Sequence, residues 1–321
     1  MASIRARLLR VALRLLVRRE LKRERKDLCG YVAATRRAFE RGAWRKLAPS
    51  DIRIVPVESD VRGEWLIRSD IERVERAILY LHGGGMVACQ SSQFRTITTA
   101  LTRRTGVAVF AVNYRHAPEH PYPAALEDAL AAYGALRERI PADDIIIAGD
   151  SAGGNLALAT VLALREREKT PRPVAGIIAI SPWTDLTSSG ASVVTNATCD
   201  DVLVAPSSRP ISLAHAYADP ATWRDPLVSP LFGDYAEGPP VLAFASASEM
   251  LLDDARALVA RIRAQGGIAT FIAGRGVPHD WPIYPIPEAG LAHRTMADFV
   301  ARCFARSAHL LDSERNTILV R

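Results

Sequence analysis

The segment Ile145-Ile146-Ile147-Ala148-Gly149-Asp150-Ser151-Ala152-Gly153-Gly154 decides the fold of this chain. Its first four residues predict a buried strand, and the stretch 155–167 that follows it predicts a helix. A serine between glycines at such a turn is typical of a nucleophile elbow, because a strained backbone holds its Oγ above the sheet and the helix N-terminus stabilises negative charge. We therefore predict Ser151 as a nucleophile, against the alternative of a glycine-rich turn with an incidental serine.

A second glycine-rich segment, His82-Gly83-Gly84-Gly85, ends an earlier predicted strand. Glycines let the backbone approach a bound molecule closely and turn its amides toward it. We expect the amides of Gly84, Gly85 and Ala152 to form an oxyanion hole, the set of donors that a tetrahedral intermediate of acyl transfer requires. A phosphate-binding loop is the alternative, but neither a Lys-Ser/Thr pair nor a GxGxxG pattern follows.

Short β-branched runs alternate with helical stretches from about residue 51 onward. The predicted strands are 52–57, 77–82, 107–112, 145–149, 174–181, 241–246 and 268–273. The predicted helices are about 94–104, 123–138, 152–168, 254–265 and 287–305. Apolar runs separated by helices predict an α/β fold with a mostly parallel sheet covered on both faces.

The two glycine motifs lie 67 residues apart, and three further segments accompany them. These are 114–128 (YRHAPEHPYPAALED), 181–186 (SPWTDL) and 225–230 (DPLVSP). Together they resemble the hormone-sensitive-lipase-like branch of the α/β-hydrolases over about residues 50–305. The resemblance implies an α/β-hydrolase fold with a helical cap, and a serine hydrolase that acts on short- to medium-chain esters or on lactones.

On this basis we divide the chain into core, cap and tail. The expected parts are an N-terminal helical cap segment (1–50), a first part of the hydrolase core (51–185), a cap insertion (186–225), a second part of the core (226–306) and a loosely structured tail (307–321). The insertion is rich in Ser, Thr, Pro and Asp and has no strand character, as is common for segments that cover a site.

The resemblance also implies the partners of the nucleophile, which this fold carries in the order serine, acid, histidine. His279 follows the strand 268–273 where the family's catalytic histidine lies, so we expect it to be the base. Glu249 occupies the position where the family usually has the aspartate of its triad, and Asp253 is the alternative acid. Either carboxylate could accept the imidazole N–H, and we favour Glu249.

We expect an acyl-enzyme mechanism, which calls for no metal or organic cofactor. The same triad could serve a lactonase, an amidase or an acyltransferase, because the shape of the cap decides the acceptor. A small-molecule receptor on a hydrolase scaffold is a further alternative, although Ser151, Glu249 and His279 are all present. The expected partner is a small-molecule ester or lactone, and a homodimer is left open.

The chain carries a formal charge of +6, and this charge is unevenly distributed. Residues 1–26 contain ten basic and two acidic residues, a formal +8, so residues 27–321 carry a formal −2. The body is therefore not basic, and we exclude nucleic acid as a partner. Four scattered cysteines without metal-ligand spacing favour a cytoplasmic, reducing compartment.

The basic N-terminus has two interpretations. Ile4, Leu8, Val11 and Leu15 lie at helical spacing between arginines and predict an amphipathic helix. We favour a cap helix that packs this apolar stripe over the mouth of the active site. The alternative is a targeting or membrane-surface helix, which would make the protein membrane-associated through residues 1–26.

Overall fold

A nine-stranded sheet forms the centre of the computed structural model, which describes residues 2–22, 27–42, 49–170, 172–204, 212–305 and 317–320. The strands are β1 (Ile52–Glu58), β2 (Arg62–Arg68), β3 (Ala77–Leu81), β4 (Ala108–Val112), β5 (Ile145–Asp150), β6 (Gly176–Ile180), β7 (Val241–Ser246), β8 (Ala269–Gly274) and β9 (Thr317–Val320). Their order is β1-β2-β4-β3-β5-β6-β7-β8-β9. The pairs β1–β2 and β2–β4 are antiparallel and all others parallel, so the predicted mostly parallel sheet is confirmed.

Helices cover both faces of this sheet. They are α1 (Ile4–Leu13), α2 (Arg19–Lys22), α3 (Leu28–Gly42), α4 (Arg95–Thr105), α5 (Ala124–Arg137), α6 (Ala152–Glu168), α7 (Ser192–Thr195), α8 (Leu213–Tyr217), α9 (Leu252–Ala264) and α10 (Ala289–Phe304). Alternate strand residues face opposite sides. Leu79 and Ile147 pack in one core with α5, α6 and α9, whereas Ile78 and Ile146 pack in a second core with α4 and α10. Central strands buried on both sides explain the continuous apolar runs of the sequence.

Two strands were missed by the sequence analysis. β2 contains Gly63 and several charged residues, so it lacks the apolar run of a central strand, yet it pairs with β1 and β4. β9 lies in the segment 307–321, where we expected only a loosely structured tail. That expectation is wrong for residues 317–320, which pair in parallel with β8 because the edge of β8 offers free backbone groups.

The N-terminal helix packs against the rest of the protein through a different face from the one we predicted. Ile4, Leu8, Val11 and Leu15 are 55–75% exposed, so the prediction that this stripe packs over the site is wrong. Ala6, Leu13, Val17 and Leu21 form the buried face instead. The helix runs from α1 through a π-helical segment (Arg14–Arg18) into α2.

Charge pairing fixes this orientation of the helix. Arg10 and Arg14 both bind the carboxylate of Asp201, which is 1% exposed and lies in the insertion 186–225. Arg18 donates to the carbonyl oxygens of Ala197 and Leu203 in the same insertion. A buried carboxylate requires a partner, so the arginines must face the protein and the apolar stripe turns outward. In the part of the chain that the structure describes, no helix is both long and apolar enough to cross a membrane.

Candidate active site

Ser151 lies in the turn that joins β5 to α6, with φ +52° and ψ −117°. This conformation is rare for a residue with a side chain, and strain of this kind is concentrated at functional sites. Its amide donates to the carbonyl oxygen of Ile180 at 2.8 Å, which anchors the turn to β6. A Cβ on Gly153 would collide with the carbonyl oxygens of Leu81 and His82, so only glycine allows the helix to start this close to β3.

Ser151, His279 and Glu249 form one hydrogen-bonded line. The Oγ of Ser151 lies 3.1 Å from Nε2 of His279, and Nδ1 of His279 lies 3.1 Å from Oε2 of Glu249. His279 is 4% exposed and Glu249 is 1% exposed, so bulk water does not compete for either contact. The nucleophile, base and acid predicted from the sequence are therefore brought together in the order that a serine triad requires.

Asp253, the alternative acid, points elsewhere. It lies in the first turn of α9, where its carboxylate accepts from the amide of Ser192 at 2.8 Å and pairs with Arg256 at 3.3 Å. These contacts tie α9 to the insertion 186–225 and not to the imidazole of His279. The geometry thus favours Glu249 over Asp253 as the triad acid.

Ser181 supports this line and was not assigned a role from the sequence. Its Oγ donates to Oε2 of Glu249 at 2.9 Å and accepts from the amide of Asp280 at 3.1 Å. Ser181 follows β6 directly and has φ +43°. The carboxyl ends of parallel strands meet at one edge of the sheet, so its position next to the strand of Ser151 was the available signal.

Asp280 is the second residue that the sequence analysis missed. Its Oδ2 lies 3.0 Å from Nε2 of His279, the same nitrogen that contacts Ser151. Asp280 has φ +56°, and this left-handed backbone directs its short side chain to the ring that precedes it in the chain. Adjacency to His279 was the only sequence signal for this contact.

The carboxylates around His279 determine its charge. Burial alone would lower the pKa of His279, but Asp280 and Glu249 outweigh it and raise that pKa well above 6.5. Burial raises the pKa of Glu249 to about 7, although the neighbouring His279 acts in the opposite direction. His82, by contrast, has its pKa lowered to about 3, first by burial and then by His116, so it stays neutral.

The loop His82–Gly85 lies beside Ser151 at the edge of the pocket. Gly84 has φ +119° and Gly85 has φ +64°, values that favour glycine. Asp150 accepts from the amide of Gly83 at 3.1 Å and from the Tyr80 hydroxyl at 2.6 Å, and so holds the loop against β5. Gly84 and Gly85 line the same pocket as Ser151, as the predicted oxyanion loop requires.

This pocket extends from Ser151 to the N-terminal helix. Leu13, Val17 and Leu21 line it from one side, and Val202 and Leu203 of the insertion 186–225 line it from another. Most of its wall is apolar, and Ser151, His279 and Asp280 are among the polar residues that line it. An apolar cleft with a few convergent polar groups is typical of a small-molecule site.

A serine on a strained strand-to-helix turn, a buried His–carboxylate pair and a glycine loop on a parallel sheet define a serine hydrolase of the α/β-hydrolase type. Comparison with known families agrees, because residues 78–283 match the family described as alpha/beta hydrolase fold. This chain belongs to the hormone-sensitive-lipase-like branch of that family and is a carboxylesterase-type hydrolase.

Known relatives align over most of the chain. An acetyl-hydrolase of Streptomyces hygroscopicus is 39% identical over 236 residues, which cover 73% of this chain and 76% of the relative. An esterase of Acinetobacter venetianus is 37% identical over 207 residues, covering 64% and 67% respectively. The crystal structure of an esterase from the bacterial hormone-sensitive lipase family superposes with a TM-score of 0.82 at 31% identity, covering 95% of this chain and all of the other.

Proposed function

We propose that this chain hydrolyses short- to medium-chain carboxylic esters through an acyl-enzyme, with Ser151 as nucleophile, His279 as base and Glu249 as the acid. The observation that carries the proposal is the line Ser151 Oγ–His279 Nε2–His279 Nδ1–Glu249 Oε2, with both contacts at 3.1 Å. The resemblance to acetyl-hydrolases and esterases supports the same reaction class.

The reaction begins when Ser151 Oγ attacks the ester carbonyl carbon and its proton passes to Nε2 of His279. Glu249 accepts the Nδ1–H bond and stabilises the resulting imidazolium. The amides of Gly84, Gly85 and Ala152 stabilise the oxyanion. Collapse of the intermediate transfers the Nε2 proton to the leaving alcohol, and water then repeats the cycle on the acyl-enzyme.

Two variants and a chemical probe test this proposal. Wild-type enzyme should hydrolyse p-nitrophenyl acetate and butyrate, and Ser151→Ala should lose the activity by about 10³-fold or more. Ser59→Ala, on an exposed loop, is the matched control and should retain full activity. A serine-directed phosphonate should label wild type and not Ser151→Ala. Equal activity or labelling of Ser151→Ala would show that another residue is the nucleophile. Relative rates on a panel of lactones, amides and acyl acceptors rank the alternative reactions.

We also propose that segments 1–50 and 186–225 together form the cap of this site. Asp201 binds Arg10 and Arg14 of the N-terminal helix, while its neighbour Asp200 accepts from the amide of Met250 at 2.8 Å, next to Glu249. The insertion thus links the helix to the loop that carries the triad acid. Both segments contribute apolar side chains to the pocket wall.

We further propose that the outer face of the N-terminal helix rests on an anionic membrane surface. Ile4, Leu8, Val11 and Leu15 form an exposed apolar stripe, and Arg5 and Arg19 are exposed beside it. Apolar residues flanked by cations are typical of helices that lie in the lipid interface. Because the opposite face of this helix lines the pocket, an ester could enter directly from the lipid.

Vesicle sedimentation tests this membrane contact. The full chain should sediment with phosphatidylglycerol vesicles more strongly than with phosphatidylcholine vesicles, and salt should weaken the binding. Leu8→Gln combined with Val11→Gln should abolish it, whereas Leu291→Gln, an exposed leucine on α10, should not. Concentration-dependent dimerisation that the same double variant removes, without vesicle binding, would instead assign the stripe to a homodimer interface.

A further inference from the structure

Asp280 is buried in the pocket with one carboxylate oxygen unused. The residue is 6% exposed and lines the pocket beside Ser151. Its Oδ2 contacts Nε2 of His279 at 3.0 Å, but its Oδ1 has no hydrogen-bond partner among the described residues. Oδ1 is itself shielded from solvent, so the negative charge of this buried carboxylate is only partly compensated, and Asp280 marks a place in the pocket where a positively charged ligand group would be stabilised.

During the catalytic cycle, the negative charge of Asp280 is compensated even less. A carboxylate 3.0 Å from Nε2 is well paired only while that nitrogen carries a proton. Attack by Ser151 requires the opposite state, in which Nε2 has a free lone pair. At that moment Asp280 has lost the one positive partner that it has among the described residues, and a cation beside its carboxylate would compensate for the loss.

The remainder of the pocket suits a cation. None of the described residues that line it is a lysine or an arginine. Five aromatic residues line it, namely Tyr31, Phe39, Phe94, Trp183 and Tyr284. Aromatic faces together with a carboxylate are the surroundings in which proteins bind ammonium groups. No basic side chain is available to satisfy Asp280 from within the lining.

We propose that Asp280 is a specificity-determining residue that binds a cationic nitrogen group of the substrate, so that the preferred substrates are esters carrying a protonated or quaternary amine. This proposal rests on the proposed ester hydrolysis and adds the class of substrate. When the cation pairs with Asp280, the carboxylate withdraws from Nε2, which becomes free to accept the Ser151 proton.

Three acetates of nearly equal shape provide the test. They are 3,3-dimethylbutyl acetate, which is neutral, acetylcholine, which is quaternary, and 2-(dimethylamino)ethyl acetate, which is a protonated amine at neutral pH. For wild type we expect kcat/KM to be about tenfold higher for at least one cationic ester than for the neutral one. A preference for the protonated amine alone indicates a hydrogen bond to the Asp280 carboxylate, whereas a preference for both indicates charge recognition.

The variant Asp280→Asn removes the charge and nearly preserves the shape. Its kcat/KM values for the three esters should become similar to one another, whatever its absolute rate, while Asp280→Glu should keep part of the preference. Glu138→Gln, an exposed carboxylate at the end of α5, is the control and should keep the full preference. An equal cation preference in Asp280→Asn, or no preference in wild type, would overturn the proposal.

Inhibition of the wild-type enzyme keeps the proposal testable if the variants do not fold. Protonated 2-(dimethylamino)ethanol should compete with p-nitrophenyl acetate, and its neutral isostere 3-methylbutan-1-ol should compete at least several-fold more weakly. Equal inhibition by the two alcohols would contradict a cation site. If the neutral acetate is hydrolysed in a Ser151-dependent manner and the cationic esters are not preferred, the proposed ester hydrolysis stands and only the role of Asp280 is rejected.

Discussion

Ser181 Oγ donates a 2.9 Å hydrogen bond to Oε2 of Glu249, the same oxygen that faces Nδ1 of His279. One carboxylate oxygen therefore has two donors, and the second donor comes from the strand next to the nucleophile. Ser181 also accepts from the amide of Asp280. A single hydroxyl thus connects the loop that carries the acid with the loop that carries both the base and Asp280.

This connection predicts the behaviour of Ser181→Ala. Without the hydroxyl, Glu249 loses a fixed donor and the His279 ring becomes less well oriented, so kcat should fall about tenfold with little change in KM. The acidic limb of the pH–rate profile should also shift, which a merely structural loss would not produce. Steady-state kinetics between pH 5 and 9 measure both effects, and a loss confined to KM would argue against a positioning role.

The identity of the acid can be decided by two isosteric variants. Glu249→Gln should lower kcat by about 10²–10⁴-fold, because the imidazolium loses its counter-charge and the ring its correct tautomer. Asp253→Asn should keep kcat within a few-fold and lower the free energy of unfolding by about 1 kcal/mol, because its carboxylate accepts from Ser192 in the cap. Kinetics and chemical denaturation of both proteins provide the comparison. A larger loss of kcat in Asp253→Asn would reverse the assignment.

The charge around His279 predicts a shifted pH dependence. The base must be unprotonated to act, and the pKa of His279 is raised above 6.5 by Asp280 and Glu249 in spite of burial. Activity on a neutral ester should therefore rise with pH through a value above 6.5. Asp280→Asn removes one of these carboxylates, so the rise in activity should occur at lower pH in this variant.

Other groups interact with this pair, and the carboxyl groups among them enter the same titration. The interacting groups are Glu249, Asp150, Asp200, Tyr80, Cys89, Tyr284 and the Ser181 hydroxyl. The pKa read from this part of the pH–rate profile therefore belongs to a coupled set of groups. It is compared between variants and is not assigned to one residue. The measurement is the pH dependence of kcat/KM for p-nitrophenyl acetate. An unchanged pH dependence in Asp280→Asn would mean that Asp280 does not act on Nε2 of His279.

The N-terminal helix should loosen when its buried anchor is removed. Asp201→Asn replaces a carboxylate that pairs with Arg10 and Arg14, so residues 1–22 should be cleaved faster by trypsin and KM should rise several-fold as the pocket wall opens. Asp51→Asn removes an exposed pair with Arg103 and is the matched control, for which both readouts should stay near wild type. Equal proteolysis of the two variants would place the anchor elsewhere.

Local patterns were sufficient for much of the site. The apolar run before Ser151, the glycines around it and the helix after it lie within a few residues of one another, so short-range physics specifies the elbow. The glycine loop at Gly84 and Gly85 was equally visible, because φ values of +119° and +64° favour glycine. The position of His279 followed from its place after β8 in the chain order of the fold.

Contacts that depend on packing were not visible in the same way. Helical periodicity identified an amphipathic helix over Ile4–Leu15 but could not tell which face docks, and the buried Asp201 in a distant insertion selected the arginine face. β2 escaped detection because its charged residues and Gly63 reflect a position near the sheet edge and not a central strand.

By itself, the sequence determined the fold class and the places of Ser151, the glycine loop and His279 within it, because each depends on neighbouring residues or on chain order. Only the tertiary structure placed Glu249, and not Asp253, beside His279, brought Ser181 to Glu249 and placed Asp280 against Nε2 of His279. The first two contacts depend on distances of about 3 Å between residues from different loops, which are fixed by how the strands pack side by side, whereas the third depends on the left-handed backbone of Asp280.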